Sequence, residues 1–176
     1  MVKKLTKKYL EKLKVPRILI AGLIMASVLG WTGWTKLKDI KNYYQIKAIF
    51  PTKTTATEII DGDTFNIKNG LSVRLLGINA PNRGLPNYNI AKNYLASLIL
   101  NKELIFEYDK YQEDMYGRIL AYVWINDKKV LINEIMVKNG MAKTEVYQAR
   151  AKLKYQDLLQ QAENEAKEKK IGIWSE

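Results

Sequence analysis

The chain contains no cysteine and no histidine among its 176 residues. Without cysteine it can form no disulfide and no thiolate metal site, and it has no thiol nucleophile. Without histidine it lacks the usual proton carrier near neutral pH and the commonest metal ligand. Any acid–base or metal chemistry must therefore rest on aspartate, glutamate, lysine, arginine and tyrosine.

The formal net charge of +11 is concentrated at the start of the chain. Residues 1–50 contain 11 lysines and arginines against 2 acids, whereas residues 51–176 contain 18 against 16. The balance is therefore +9 for the first segment and only +2 for the second. The basic excess cannot be taken as a nucleic-acid footprint of the folded region.

A long uncharged run explains the N-terminal segment. Arg17 and Lys36 enclose 18 residues without a charge. As a helix this run would span roughly 27 Å, close to the hydrocarbon thickness of a bilayer. We predict a transmembrane helix over residues 18–35, preceded by a basic stretch over 1–17 and followed by a juxtamembrane linker over 36–53.

The flanking charges predict the orientation of this helix. Seven basic residues precede the run and three follow it closely. This bias favours a single-pass membrane protein with a cytoplasmic N-terminus and with residues 54–176 outside the cytoplasm. A cleaved signal peptide is one alternative, although no clear small-x-small cleavage site follows Leu29. A buried helix of a soluble protein is the other.

Short strands separated by turns begin after Pro51. "ATEII", "TFNI" and "LSVRLLGI" predict a three-stranded meander with an Asp-Gly turn and an Asn-Gly turn. Apolar residues at helical spacing predict a helix over 89–100. "ELIFEYD" and "RILAYVWI" predict two further strands, and "VLINEIMVKNG" predicts a short helix ending near Gly140. With a last amphipathic helix over about 149–170, the pattern predicts an α+β, five-stranded closed barrel of the OB type.

Three short segments carry polar residues that a core does not need. They are residues 61–64 ("DGDT"), Arg74 with the turn 79–82, and residues 114–118 ("DMYGR"). Alone, the first is typical of a hairpin turn, the second of an arginine extending from a strand edge, and the third of a turn with a solvated arginine. Together they offer two arginines able to clamp one phosphate and an aspartate pair able to hold a hard divalent cation. Such a set would stabilise the extra negative charge of a five-coordinate phosphorus transition state.

Five motifs, in their order along the chain, resemble those of a known protein family. From about residue 53 onward the chain resembles the staphylococcal nuclease (thermonuclease-like) family of calcium-dependent phosphodiesterases. The matching stretches are "IDGDTFNI", "VRLLGINAPN", "DMYGRILAYVW", "INEIMVKNGMAK" and "AKEKKIGIWSE". The resemblance implies an OB barrel with three helices, calcium as the cofactor, and DNA or RNA as the substrate.

The resemblance also implies roles for individual residues. Asp63 matches the calcium-ligating aspartate of the D-G-D-T motif, and Asp61 matches its acidic neighbour. Arg74 matches the strand arginine that binds the scissile phosphate. Arg118 matches the arginine of the Y-G-R motif that stabilises the transition state and leaving group, and Tyr116 matches a tyrosine that contacts substrate phosphate. Tyr147 matches a second tyrosine on the substrate side.

Two amides depart from the family's pattern, which is close to R-L-x-G-I-D-A-P-E. Asn79 replaces a calcium-ligating aspartate and Asn82 replaces the glutamate that orients or deprotonates the attacking water. Asn79 still offers a neutral oxygen to a metal, and the backbone carbonyl of Ala80 is unaffected. Asn82 cannot accept a proton near neutral pH, so it can only position the water. Asp63 is left as the one ionised ligand inferred from the motifs.

Three functions are compatible with these residues. The first is a membrane-anchored nuclease weakened by the two asparagines. The second is a catalytically inactive OB module that holds nucleic acid at a membrane, and the third is a partner-binding ectodomain. The retained arginines favour the first, and the asparagines favour the second. A neighbouring acid such as Glu58 or Glu113 could replace a lost carboxylate.

Overall fold

The computed structural model describes residues 30, 32–36, 38, 50–146 and 151–175. The chain divides into two units, residues 1–48 and 49–176. In the first unit the described residues are helical. Within the described part of the chain, no helix has the length and apolar character needed to cross a bilayer. Most of the predicted span over 18–35 lies outside the described residues.

In the described residues of the second unit, the structure has short strands and three α-helices. Its strands are β1 (Lys53–Ile59), β2 (Thr64–Ile67), β3 (Ser72–Leu75), β4 (Ile78–Asn79), β5 (Glu103–Glu107), β6 (Ile119–Ile125), β7 (Val130–Leu131) and β8 (Lys143–Thr144). Its helices are α1 (Tyr88–Ile99), α2 (Ile132–Lys138) and α3 (Gln156–Glu168), followed by a 3-10 turn (Gly172–Trp174).

Five strands close into a barrel. The sheet order is β3-β2-β1-β5-β6-β7, and all of these neighbours are antiparallel. A parallel pairing of β3 with β6 closes the sheet, with Val73 opposite Ile119 and Leu75 opposite Ala121. The remaining strands β4 and β8 form a separate antiparallel pair. The predicted α+β barrel of the OB type with three helices is confirmed.

Alternation along the strands separates the core from the site. On β3, Val73 and Leu75 are fully buried, whereas Arg74 between them points to the other face and keeps partial exposure. Helix α1 covers the barrel with one apolar stripe, in which Ala91 and Leu95 are fully buried. The same period-2 pattern that buries the core therefore places Arg74 outside it.

The predicted third strand is interrupted before its end. β3 stops at Leu75, and Gly77 adopts φ +79°, a left-handed conformation that favours glycine. The chain turns there, so Ile78 and Asn79 join a different sheet as β4. This turn directs the "NAPN" segment back over the start of β2.

The last helix is shorter at its start than predicted. It begins at Gln156, and residues 151–153 form no helix. Side chains from a distant loop bind this segment: the Ala151 N–H donates to the Tyr111 hydroxyl at 2.9 Å, and the Lys154 N–H donates to Asp109 Oδ2 at 2.7 Å. These tertiary hydrogen bonds replace the bonds that a first helical turn would make.

Candidate functional site

The D-G-D-T segment forms a tight turn that leads into β2. The N–H groups of Ile60 and Asp61 both donate to the Thr64 carbonyl oxygen, at 2.9 and 3.1 Å. Asp61 Oδ1 accepts a hydrogen bond from the Asp63 N–H at 3.1 Å. The side chain of Asp61 therefore stabilises the turn that orients Asp63.

Gly62 is required in this turn by close packing. A Cβ atom at this position would lie 2.7 Å from Ala80 Cβ and 2.8 Å from Ala91 Cβ. Both distances are shorter than real carbon contacts allow. The turn thus packs directly against the "NAPN" segment and helix α1, which brings Asp63 next to Ala80.

Asp63 is the buried centre of the site. It is 2% exposed, and its Oδ1 accepts hydrogen bonds from the Thr64 hydroxyl at 2.8 Å and from Arg74 Nη1 at 2.5 Å. Its Oδ2 accepts the Ala80 N–H at 2.9 Å. A buried carboxylate is stable only when such partners compensate for its lost hydration.

Burial raises the pKa of Asp63 to about 6, and the negative charge of Asp61 adds to this rise. The positive charge of Arg74 and the hydrogen bonds from Ala80 and Thr64 act in the opposite direction. We expect the carboxylate to be ionised above this pH, where it can serve as a ligand for a cation.

Oxygen atoms of several residues contact the guanidinium group of Arg74. Besides Asp63, its Nη2 donates to Asn79 Oδ1 at 2.9 Å and contacts Glu145 Oε2 at 3.4 Å. The side chain is 13% exposed. The predicted residues Asp63, Arg74, Asn79 and Ala80 therefore lie together, and they are joined by Glu145, which the sequence motifs did not reveal.

Arg118 is held in a different way, by its own loop. Its Nε donates to Asp114 Oδ2 at 2.7 Å, and its N–H donates to Asp114 Oδ1 at 3.1 Å. The guanidinium carbon lies 5.4 Å from the centre of the Tyr116 ring, which is 75% exposed. The parallel register opposes Arg74 with Leu120, so Arg118 precedes the strand that runs beside β3.

The hydrogen bonds of this loop also act on Asp114. Burial alone would raise its pKa, but the N–H groups of Arg118 and Tyr116 and the Arg118 guanidinium hold the pKa below its ordinary value. Asp114 therefore stays ionised and fixes the arginine.

Comparison with known proteins identifies the arrangement. The family model described as "Staphylococcal nuclease homologue" matches residues 72–176. The chain belongs to the staphylococcal nuclease family. It is 36% identical over 126 residues to a thermonuclease of Staphylococcus hyicus, covering 66% of this chain and 72% of that protein. It is 37% identical over 125 residues to a thermonuclease of Staphylococcus intermedius, with the same coverage.

A Bacillus relative gives a similar result. The chain is 37% identical over 131 residues to endonuclease YncB of Bacillus subtilis (strain 168), covering 69% of this chain and 61% of that protein. The relatives named here are thus nucleases, and the residues matched by the family model include Arg74, Asn79 and Glu145.

Asn82, at the position of the family's glutamate, lies beside an open cavity. Its carbonyl oxygen accepts the Leu85 N–H at 3.0 Å, which forms a turn after Pro81. The cavity has a volume of about 290 Å³, and its lining includes Asn79, Asn82 and Lys143. The loop therefore leaves room for a ligand or water next to the amide.

The oxygens around Asp63 suit a hard divalent cation in kind but offer little charge. Carboxylate, amide and backbone carbonyl oxygens are the ligands that calcium prefers. Among the described residues, however, no three acidic side chains lie close enough together to form a metal site. The residues fit a cation bound by few ionised ligands.

The remaining predicted residues have separate outcomes. Tyr116 is exposed on the loop before β6, where a substrate could reach it. Tyr147 lies outside the described residues. Glu58 does not lie among the Arg74 ligands: its Oε2 accepts a hydrogen bond from the Asn66 amide at 2.9 Å. Glu113 lies in the loop of Asp114, and its backbone forms an isolated antiparallel β-bridge with Ile119.

Proposed function

We propose that this chain is a membrane-anchored nuclease that hydrolyses phosphodiester bonds of DNA or RNA with the help of calcium. The observation that carries the proposal is the cluster of Asp63, Asn79 and Ala80 around Arg74, in a family whose relatives here are named nucleases. Arg74 Nη1 and Nη2 each contact a different oxygen, so the guanidinium already has the geometry of a clamp.

The proposed roles follow from the contacts. Arg74 binds the scissile phosphate, and Arg118, with Tyr116 beside it, binds the phosphate oxygens and stabilises the charge that develops on them. Asp63, with the oxygens of Asn79 and Ala80, holds calcium, and Asp61 keeps Asp63 in place. Bound calcium would polarise the phosphate and lower the pKa of a nearby water. Asn82 orients that water through its amide and cannot take its proton.

A second function is favoured by one observation. Asn82 and Asn79 stand where the family pattern has acids, so the chain has less charge for calcium and no general base at that position. This departure supports a module that binds nucleic acid through the same arginines and Tyr116 without cleaving it.

One experiment separates the two functions. The full-length chain in detergent is incubated with single-stranded DNA, with calcium or with a chelator. Cleavage that requires calcium supports the nuclease, whereas a mobility shift without cleavage supports the binding module. Arg74→Ala should abolish either activity, and Lys129→Ala, an exposed position in the turn between β6 and β7, should not. Unchanged cleavage and binding in Arg74→Ala would contradict both.

Restoring the two acids tests the proposed roles of the asparagines. Asn79→Asp should tighten calcium binding, because ligand charge dominates calcium affinity. Asn82→Glu restores a group that can accept a proton, and general-base assistance is worth about a hundredfold or more in rate. The double variant should therefore cleave single-stranded DNA much faster than the natural chain. No gain in either property would show that other residues supply these functions.

The membrane anchor is supported by the uncharged run over 18–35 and its basic flank. We expect the chain to be a single-pass membrane protein with residues 54–176 outside the cytoplasm. Membrane fractions should retain it through high-salt and alkaline washes. A soluble mature protein that begins after residue 30 would identify a cleaved signal peptide instead.

A further inference from the structure

Glu145 brings a second carboxylate to the Arg74 cluster. Its Oε2 lies 3.4 Å from Arg74 Nη2, the same nitrogen that donates to Asn79 Oδ1 at 2.9 Å. Its side chain is 30% exposed, so it remains accessible to solvent and to ions. A carboxylate thus stands beside the amide that replaces the family's calcium-ligating aspartate.

The backbone fixes this position. β8 pairs with β4 so that Lys143 opposes Asn79 and Thr144 opposes Ile78. Directly after this pair, the Glu145 N–H donates to the Gly77 carbonyl oxygen at 2.9 Å. Glu145 is therefore anchored to the turn that leads from Arg74 to Asn79.

A buried contact holds β8 against the last helix. Glu163 on α3 is 8% exposed and accepts hydrogen bonds from the Thr144 N–H at 3.0 Å and from the Thr144 hydroxyl. Lys167 Nζ lies 2.6 Å from the other oxygen of Glu163. The residue before Glu145 is thus tied to both β4 and α3, and this restricts where the Glu145 backbone can lie.

We propose that Glu145 supplies the second ionised ligand of the calcium site, in place of the carboxylate that Asn79 lacks. The inference rests on the proposed function, because it concerns the same cation. Asp63 and Arg74 cancel each other's charge, so these two residues alone attract a divalent cation weakly. Glu145 adds one negative charge beside Arg74, and calcium affinity depends strongly on ligand charge.

Calcium binding to the full-length chain in detergent tests the inference. Isothermal titration with calcium chloride compares the natural chain with Glu145→Gln, which keeps the size of the side chain and removes its charge. We expect Glu145→Gln to weaken calcium binding by about tenfold or more. The matched control is Glu103→Gln, which removes a charge from an exposed side chain at the start of β5 and should leave calcium binding unchanged.

A double variant separates charge from folding. Adding Asn79→Asp to Glu145→Gln returns one carboxylate to the same guanidinium, so it should recover calcium affinity. Thermal unfolding in a chelator checks that each variant folds. If Glu145 only pairs with Arg74, Glu145→Gln lowers the unfolding temperature in the chelator but binds calcium as the natural chain does, and the inference is overturned.

The outcomes also separate this inference from the proposed function. Calcium-dependent cleavage by the natural chain, with unchanged calcium affinity in Glu145→Gln, would refute the role of Glu145 and leave the nuclease intact. A natural chain that binds no calcium at all would refute both the ligand role and the calcium dependence.

Discussion

The two arginines of the site are held by opposite means. Arg74 is bound by nearby Asn79 and also by residues from other elements, with Asp63 at 2.5 Å and Glu145 at 3.4 Å, and its side chain is 13% exposed. Arg118 is bound by Asp114, four residues before it, and is 28% exposed. Arg74 is therefore part of the fold, whereas Arg118 is part of a loop. Two arginines proposed to bind the same ligand can therefore differ in how much the fold depends on them.

The largest expected effect is the loss of Arg74. Arg74→Ala leaves the Asp63 carboxylate buried without its charged partner, and breaking such a pair typically costs about 3–5 kcal/mol. Urea unfolding at pH 8 in a chelator, where Asp63 is ionised, measures the change. The control Lys129→Ala should stay within about 0.5 kcal/mol of the natural chain. A loss below about 1 kcal/mol in Arg74→Ala would mean that the buried pair is not integral to the fold.

A smaller loss is expected when the turn beside Asp63 is overfilled. Gly62→Ala places a methyl group within contact distance of Ala80 and Ala91, and overpacking typically costs about 1–3 kcal/mol. The matched change in the other region is Gly117→Asn. Gly117 has φ +75°, and among the described residues only Glu113 Oε1 lies near its Cβ direction, at 3.6 Å. Asparagine tolerates this conformation, so its cost should be below about 1 kcal/mol. Equal losses of unfolding free energy in Gly62→Ala and Gly117→Asn would show that the turn beside Asp63 is no more tightly packed than the loop before β6.

Titration should distinguish the two aspartates that bind these arginines. Carbon NMR of the carboxyl groups in a chelator should give Asp63 a midpoint at about 6 and Asp114 a midpoint below its ordinary value. Because the folded pKa of Asp63 is raised, its contribution to stability is present below its unfolded pKa and is lost as pH rises from about 4 to about 6.

Asp114 acts with the opposite sign. Its folded pKa is depressed, so its contribution to stability is present above its unfolded pKa and is lost as pH falls through the folded value. Two midpoints that coincide would show that burial does not separate the two environments.

The smallest effect on stability is expected for Arg118. Arg118→Ala removes a partly exposed ion pair within one loop, which is worth about 0.2–1 kcal/mol. Nucleic-acid cleavage or binding should nevertheless fall strongly. Arg118→Lys should not rescue it, because lysine cannot make the bidentate contact. A large loss of stability in Arg118→Ala would contradict a purely functional role. Full activity in Arg118→Lys would contradict the bidentate contact.

The barrel could be predicted from the sequence because its signals are local. Alternating apolar residues marked the strands, and helical spacing predicted α1 over 89–100, against Tyr88–Ile99 in the structure. The start of α3 could not be predicted in this way. The N–H groups of Ala151 and Lys154 donate to Tyr111 and Asp109, which are far away in the chain. No local sequence pattern predicts these hydrogen bonds.

The site, like the fold, could be predicted where local motifs mark it and not where tertiary pairing decides it. Motifs and family resemblance predicted that Asp63, Arg74, Asn79 and Ala80 lie together, and the structure places them in contact. Glu145 had no such signal, because its place depends on the pairing of β8 with β4. Of the two acids considered as replacements, Glu58 accepts a hydrogen bond from the Asn66 amide, and Glu113 lies in the loop of Asp114.

The parallel pairing of β3 with β6 has a consequence for the order of folding. The strands β1, β2 and β3 follow one another and can pair early, whereas β3 meets β6 only after a long loop has closed. Closing long loops makes non-local pairings slow. We therefore expect the meander to form first and the parallel pairing later. The contact between Arg74 and Glu145 should also form late, because it needs β8 to pair with β4. A refolding chain should regain its strand signal before it regains the calcium binding that we propose for this site.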